Sequence, residues 1–162
     1  MATVTTLAKA AGGRGNPSKK PYMVEVEIDL AAAATAKGSA LAAADVIEAI
    51  SVGANTVVMF AGAEITTAPS GGNGCTFDLG ITGGDVDAFV DGMTVTGASA
   101  GDYGTLANTA CPILVTTADT IDMLLIGTTP DTAGKIRVYA CLMDVDSMGT
   151  QAADEVDRDL LA

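Results

Sequence analysis

Alternating apolar and polar residues mark the first regular element of the chain. In YMVEVEIDL, valine and isoleucine alternate with glutamate and aspartate from residue 24 to residue 29. This period of two is typical of a β-strand with one buried and one solvated face. The low-complexity segment 31–44 then predicts either a short helix that Gly38 and Ser39 interrupt or a covering loop.

Seven further segments carry strand patterns separated by glycine-rich or asparagine-rich turns. They lie near residues 45–51, 55–67, 74–82, 92–97, 112–117, 119–127 and 135–146. About eight strands at such spacings, without a convincing long helix, predict an all-β fold. We expect an antiparallel β-sandwich, jelly-roll-like, over residues 21–147.

The last strand has apolar residues on both faces. One face carries Ile136, Val138, Ala140 and Leu142, and the other carries Arg137, Tyr139, Cys141 and Met143. A strand with this pattern is covered on both sides. We expect the cover to come from the sandwich itself or from a neighbouring subunit.

Both ends of the chain fall outside the predicted sandwich. Residues 1–20 read as an extended basic N-terminal arm. Residues 148–162 form a tail or a short helix, because Ala152, Val156 and Leu160 repeat at intervals of four.

Composition limits the possible functions. Apolar residues make up 49% of the chain, but aromatic residues make up only 4% and charged residues only 17%. A surface so poor in charge is unusual for a free protein and fits one that neighbours partly cover. We therefore expect a homo-oligomer, with a trimer as the first guess. The chain has no histidine, which excludes Ser-His-Asp catalysis and histidine-containing zinc sites.

Charge is distributed unevenly along the chain. Residues 1–20 have a charge of +4, from Lys9, Arg14, Lys19 and Lys20, and contain no acid. Because the net charge of the whole chain is −12, residues 21–162 carry −16. A body this acidic repels phosphate backbones, so we expect no nucleic-acid partner. The basic arm is either a solvated, disordered segment or a strap that lies on an acidic partner surface.

The segment FDLGITGGDVDAFVDGM places several aspartates among glycines. Read as a calcium-binding loop that starts at Asp85, it has Asp87 at position 3 but Phe89, Val90 and Thr96 at positions 5, 6 and 12. An EF-hand requires a ligand, glycine and glutamate there. A glycine turn with Asp85 bonded to the backbone explains the same residues. We expect no metal and no cofactor.

The three cysteines, Cys75, Cys111 and Cys141, form no CxxC motif. We expect free thiols in a protein made in a reducing cytoplasm. The N-terminus lacks the apolar core of a signal peptide, and no run of 18 apolar residues occurs. We therefore expect neither secretion by the usual route nor a membrane span.

The order of several phrases resembles that of small structural proteins of tailed bacteriophages. The phrases are ADVIEAI, ANTVVMFAGAEITT, FDLGITGGDVDAFVDG, DTIDMLLIG and TAGKIRVYACLMDVD, within residues 21–146. The chain looks like a capsid decoration, or cement, protein. That resemblance implies a virion protein on the outer capsid surface, with the major capsid protein and itself as partners.

The resemblance also suggests roles for the charged segments. The arm cations would contact the capsid. In the acidic loop, Phe89 would point inward, while Asp85, Asp87 and Asp91 would face outward to meet basic capsid residues or a neighbouring subunit.

Two other classes of function compete with this interpretation. A carbohydrate-binding or adhesion module, at a head-fibre base or on a tail, would suit a β-sandwich, although the chain offers few aromatic platforms. A glycosidase would need paired carboxylates such as Asp85 and Asp87. They lie in a glycine-rich loop without a group to separate their pKa values. We therefore expect no enzyme.

Overall fold

The computed structural model describes residues 3–4, 9–10, 21–81, 83–107 and 111–145. Its elements are β1 (Thr3–Val4), β2 (Lys9–Ala10), β3 (Tyr22–Asp29), α1 (Leu30–Lys37), β4 (Val46–Val52), β5 (Thr56–Ser70), β6 (Asn73–Ile81), β7 (Val90–Thr94), β8 (Ile113–Val115), β9 (Asp119–Thr129) and β10 (Ala133–Asp144). The predicted strand boundaries differ from these by one to three residues. The tail, residues 148–162, lies outside the described part of the chain.

The strands form two sheets. Sheet A has the order β1-β4-β9-β6-β7, with β2 also against β4, and sheet B has the order β3-β10-β5-β8. All pairs among β3 to β10 are antiparallel, whereas β1 and β2 run parallel to β4. Successive strands such as β5 and β6, or β9 and β10, belong to different sheets. The prediction of an all-β antiparallel sandwich is confirmed.

The core lies between the inner faces of the two sheets. In β10, the four residues of the inner face are completely buried, namely Ile136, Val138, Ala140 and Leu142. Sheet A contributes Phe77, Leu79, Ile121 and Met123, which are also completely buried. Aliphatic side chains and two phenylalanines, Phe77 and Phe89, therefore form one continuous core.

Segment 31–44 contains a short helix, one of the two predicted alternatives. The Asp29 carboxylate caps α1 by accepting hydrogen bonds from the amides of Ala31 at 2.9 Å and Ala32 at 3.2 Å. The helix ends at Gly38, whose φ of 78° is left-handed. Leu30 and Ala33 are buried against the sandwich.

A buried ion pair ties the end of this helix to sheet A. Lys37 Nζ lies 2.5 Å from Asp45 Oδ2, and the two side chains are only 12% and 3% exposed. Asp45 Oδ2 also accepts a hydrogen bond of 2.8 Å from the Ala42 amide, and Lys37 donates one of 2.8 Å to the Ala40 carbonyl. These polar contacts hold the segment between α1 and β4 in place and join its two ends.

The three cysteines are free, as the sequence predicted. Cys75 is buried in the core, whereas Cys111 and Cys141 are half-buried. Burial raises the pKa of both the Cys75 and the Cys111 thiols, which lowers the fraction of reactive thiolate.

We expect denatured, unreduced protein to contain three titratable thiols. In dilute native protein, Cys75 should react last, because it is both buried and protonated. A thiol-reactive chromophore, followed with and without denaturant, measures both quantities. A stable intramolecular disulfide, or a Cys75 that reacts fastest in the native state, would contradict this prediction.

Candidate interaction surfaces

The acidic loop connects β6 to β7 and folds back over the end of β6. The Ile81 amide donates a hydrogen bond to the Asp85 carbonyl at 2.9 Å, and the Phe89 amide donates one to the Leu79 carbonyl at 2.9 Å. A Cβ atom on Gly80 would lie 2.2 Å from the Asp85 carbonyl oxygen. Glycine is therefore required at position 80 for the loop to pack this closely.

Phe89 anchors the loop, since its side chain is only 1% exposed within the core. Of the three predicted contact residues, Asp85 in the loop and Asp91 at the start of β7 are exposed, whereas Asp87 is half-buried. Asp85 and Asp87 are close enough for a hydrogen bond between their carboxyl groups, which raises the pKa of Asp85. Among the described residues, no group of three or more acidic, cysteine or histidine side chains could hold a metal ion.

The fourth aspartate of this region, Asp78, lies between the core residues Phe77 and Leu79 of β6, so it belongs to the outer face of sheet A. It is buried on β6 and accepts a hydrogen bond of 2.8 Å from the Gly92 amide. Burial raises the pKa of Asp78, and the charges of Asp91 and Asp87 raise it further, against the effect of the Gly92 hydrogen bond. The folded protein thus holds a proton on Asp78 more tightly than the unfolded chain does.

We expect Asp78→Asn to stabilise the protein slightly at pH 7. An amide oxygen keeps the acceptor for Gly92 and removes a negative charge beside Asp87 and Asp91, a gain on the order of 0.5 kcal/mol by comparison with other like-charge pairs. Wild-type Asp78 favours the folded state only when it is protonated, below its raised pKa. The difference in melting temperature should therefore shrink as the pH falls. A variant that is less stable than wild type at pH 7 would contradict this account.

Among the described residues, the outer face of sheet B carries most of the large exposed apolar side chains. The register places Met23, Cys141 and Phe60 in one row across β3, β10 and β5. Met143, Val57 and Leu114 form the adjacent row at the β8 edge. Exposed fractions are 59% for Met23, 39% for Phe60 and 52% for Leu114. We call this surface, with Met59, Tyr103 and Tyr139, the sheet-B face.

Two aromatic residues extend the sheet-B face along the strands. Tyr139 lies across Gly62, where a Cβ atom would be 2.6 Å from the tyrosine hydroxyl oxygen. Tyr103 bridges to Glu64 at the edge of β5 and is 63% exposed. Burial raises the pKa of Tyr139, with smaller contributions from Tyr103 and Glu64. Half of the six aromatic residues of the chain therefore lie on this face.

The far end of the same face carries two cations and three acids, all of them in ion pairs. Lys135 Nζ lies 2.9 Å from Glu27, and Arg137 lies 3.5 Å from Glu64 and 3.9 Å from Glu25. In residues 21–145 the one other cation is Lys37, which the buried pair with Asp45 occupies. Most acidic residues of that range lie elsewhere, on sheet A and its loops.

A cleft of about 380 Å³ lies beside the acidic loop. Its lining includes Asp91, Met93, Asp102, Tyr103 and Thr105. Asp102 is partly committed to structure, because its carboxylate accepts a hydrogen bond of 2.7 Å from the Ser99 amide. The cleft thus combines one exposed aromatic ring with two carboxylates and two threonines.

The predicted arm is only partly described. The backbone of Lys9 belongs to β2 and pairs with Ile50 of β4 in the same chain, so this part of the arm extends sheet A. Arg14, Lys19 and Lys20 lie outside the described residues. No helix in the described part of the chain is long and apolar enough to span a membrane.

The fold is shared with chains of phage capsids. A chain from the capsid of Ralstonia phage GP4 aligns with a TM-score of 0.59 and 20% identity, over 79% of this chain and 86% of that one. A chain from the cyanophage Pam1 capsid gives 0.57 and 13%, over 83% and 92%. A chain from the acid-stable capsid of Helicobacter pylori bacteriophage KHP30 gives 0.51 and 12%, over 78% and 89%. No protein-family model and no curated protein sequence matches the chain.

Sequence reasoning located the acidic loop and its buried Phe89 but not the sheet-B face as a whole. The apolar outer residues of β10 were visible in the last strand. Their continuation onto β3, β5 and β8 depends on strand pairing between distant segments. The sequence contained one further signal of an exposed apolar face. Met59 and Phe60 are adjacent apolar residues in a strand, so one of them is expected on the outer side. Both are exposed, because a register shift at this point inserts an extra residue into β5.

Proposed function

We propose that this protein is a structural component of a bacteriophage virion, a decoration protein that binds the outer surface of an assembled capsid and stabilises it. The observation that carries the proposal is the fold shared, over most of both chains, with chains from three different phage capsids. Its partners are the major capsid protein and other copies of itself. Its role is non-catalytic.

The surface properties of the chain support this role. Exposed Met, Phe, Tyr and Leu side chains on the sheet-B face are typical of a protein–protein contact rather than of a surface in water. The acidic loop adds exposed carboxylates that suit a basic patch on a capsid subunit. The order of phrases along the sequence resembles that of phage decoration proteins.

Binding to assembled heads tests the proposal. Heads of the encoding phage that lack this chain are mixed with purified protein and sedimented. A decoration protein binds such preformed heads until its sites are saturated, and it raises their resistance to heat. Absence of binding would overturn the proposal, and heads that fail to assemble without the chain would assign it to the shell itself.

The basic arm should supply the electrostatic part of this binding. We expect the replacement of Lys9, Arg14, Lys19 and Lys20 by serine to weaken capsid affinity about tenfold, since rim charge pairs contribute modestly and additively. Wild-type binding should also weaken as salt rises. Lys135→Ser, which removes a cation outside the arm, is the control. Equal affinity of the arm variant and the wild type at low salt would rule out the strap.

Carbohydrate binding is a second candidate function, favoured by the cleft beside the acidic loop. Tyr103 offers an exposed ring against which a sugar can pack, and Asp91 and Asp102 offer acceptors for its hydroxyl groups. A glycan array tests this function, with Tyr103→Ala as the variant that should lose binding. A wild-type protein that binds no glycan, with or without calcium, would exclude it.

A further inference from the structure

We infer that the sheet-B face is the contact between copies of this chain. The face concentrates exposed apolar and aromatic residues on one side of the sandwich, whereas the acidic loop and most other acids lie elsewhere. Aromatic residues and methionine are enriched at the centres of protein–protein interfaces, and charged residues are depleted there. The charged end of the face would form a polar rim.

Charge identifies a second copy as the occupant. Residues 21–162 carry −16, so two copies repel each other in most orientations. On the sheet-B face the charges nearly balance, because the two cations Lys135 and Arg137 there pair with the three acids Glu25, Glu27 and Glu64. Two acidic bodies can approach at this face without bringing unpaired acids together.

The size of the face agrees with such a contact. β10 has 12 residues, which at about 3.3 Å per residue make it about 40 Å long, and four strands about 4.8 Å apart are about 15 Å wide. The face thus offers on the order of 500 Å² per copy. Two apposed copies reach about 1,000 Å², the size of a weak or transient interface.

This contact specifies the self-association that the proposed function includes and rests on it in that respect, whereas salt separates it from capsid binding. Association through an apolar face of nearly balanced charge between acidic bodies should persist or strengthen as salt screens the repulsion. Capsid binding through the basic arm should weaken under the same conditions. A failure of one can therefore be recognised without a failure of the other.

Matched charge substitutions test the contact. We expect sedimentation velocity to show an oligomer for wild type and at least tenfold weaker association for Phe60→Asp and Leu114→Asp. The control is Ile126→Asp on the outer face of sheet A, since Ile126 is 38% and Phe60 39% exposed. A strictly monomeric wild type, unaffected sheet-B variants, or equal dissociation of Ile126→Asp would overturn the inference.

A labelling experiment keeps the test valid if an aspartate variant fails to fold. In Cys111→Ser protein, the half-buried Cys141 at the centre of the face is the reactive thiol, because Cys75 is buried in the core. The rate of maleimide labelling at Cys141 should fall as protein concentration rises and copies associate. A rate independent of concentration across the range in which the protein associates would also overturn the inference.

Discussion

Replacing Val138 by aspartate should leave most molecules unfolded at room temperature. Val138 is completely buried on β10, where it pairs with Val26 of β3 and Ala63 of β5. A carboxylate there would lose its water without gaining a partner. The cost is several kcal/mol, comparable with the whole stability of a small domain, about 5–15 kcal/mol.

The control for this variant is Glu25→Asp on the outer face of the adjacent strand. The Glu25 side chain is 69% exposed, and its contact with Arg137 is 3.9 Å long, so its shortening should have almost no effect. Thermal unfolding followed by circular dichroism compares the two variants. Similar melting temperatures would mean that the buried and exposed faces of these strands have been assigned wrongly, and they would contradict the sandwich fold.

Asp45→Ala should be the most costly substitution of a charged residue among those described here. It would leave the Lys37 ammonium group, 12% exposed, and the Ala42 amide without their shared acceptor. Loss of one partner from a buried ion pair costs about 3–5 kcal/mol. Because the pair closes the segment between α1 and β4, the helix should separate from the sheet before the rest of the protein unfolds.

An exposed ion pair of the same chain provides the control. Lys135 and Glu27 are 41% and 44% exposed, so Lys135→Met should have little effect on stability. The free energy of unfolding, measured in urea for both variants, tests the difference. Equal losses for Asp45→Ala and Lys135→Met would contradict a structural role for the buried pair.

The strands and their inner faces could be predicted because their signal is local. The alternation in YMVEVEIDL identified the half-buried β3. The last strand showed apolar residues on both sides, which in the structure are a completely buried row and a half-buried row. Asp29, which caps the start of α1, and Gly38, which ends it, are local signals as well. The low-complexity sequence of segment 31–44 was nevertheless equally compatible with a loop.

Features that depend on distant partners could not be read from the sequence. Asp131 follows a proline in the short connection between β9 and β10, yet it is only 2% exposed and accepts a hydrogen bond of 2.7 Å from the Thr96 hydroxyl group. Asp45 and Asp78 are buried for the same reason, since their partners come from other elements. The pairing of β1 and β2 with β4 was also missed, because two-residue strands carry no period.

The two candidate surfaces differ in the same way, since one follows from a local pattern and the other from distant partners. Phe89 and the outward aspartates of the acidic loop follow from a glycine turn beside an apolar residue, which is a local pattern. The sheet-B face combines residues from four strands and from the loop that carries Tyr103, and only the order of strands in sheet B brings them together.

The proposal that this protein lies on the outer surface of a phage virion is tested most directly by its copy number in purified particles. Quantitative mass spectrometry of gradient-purified virions of the encoding phage measures this chain against the major capsid protein. We predict a fixed, near-stoichiometric ratio, with the chain accessible to surface labelling on intact particles. Its absence from virions, or its presence in only a few copies per particle, would contradict the account.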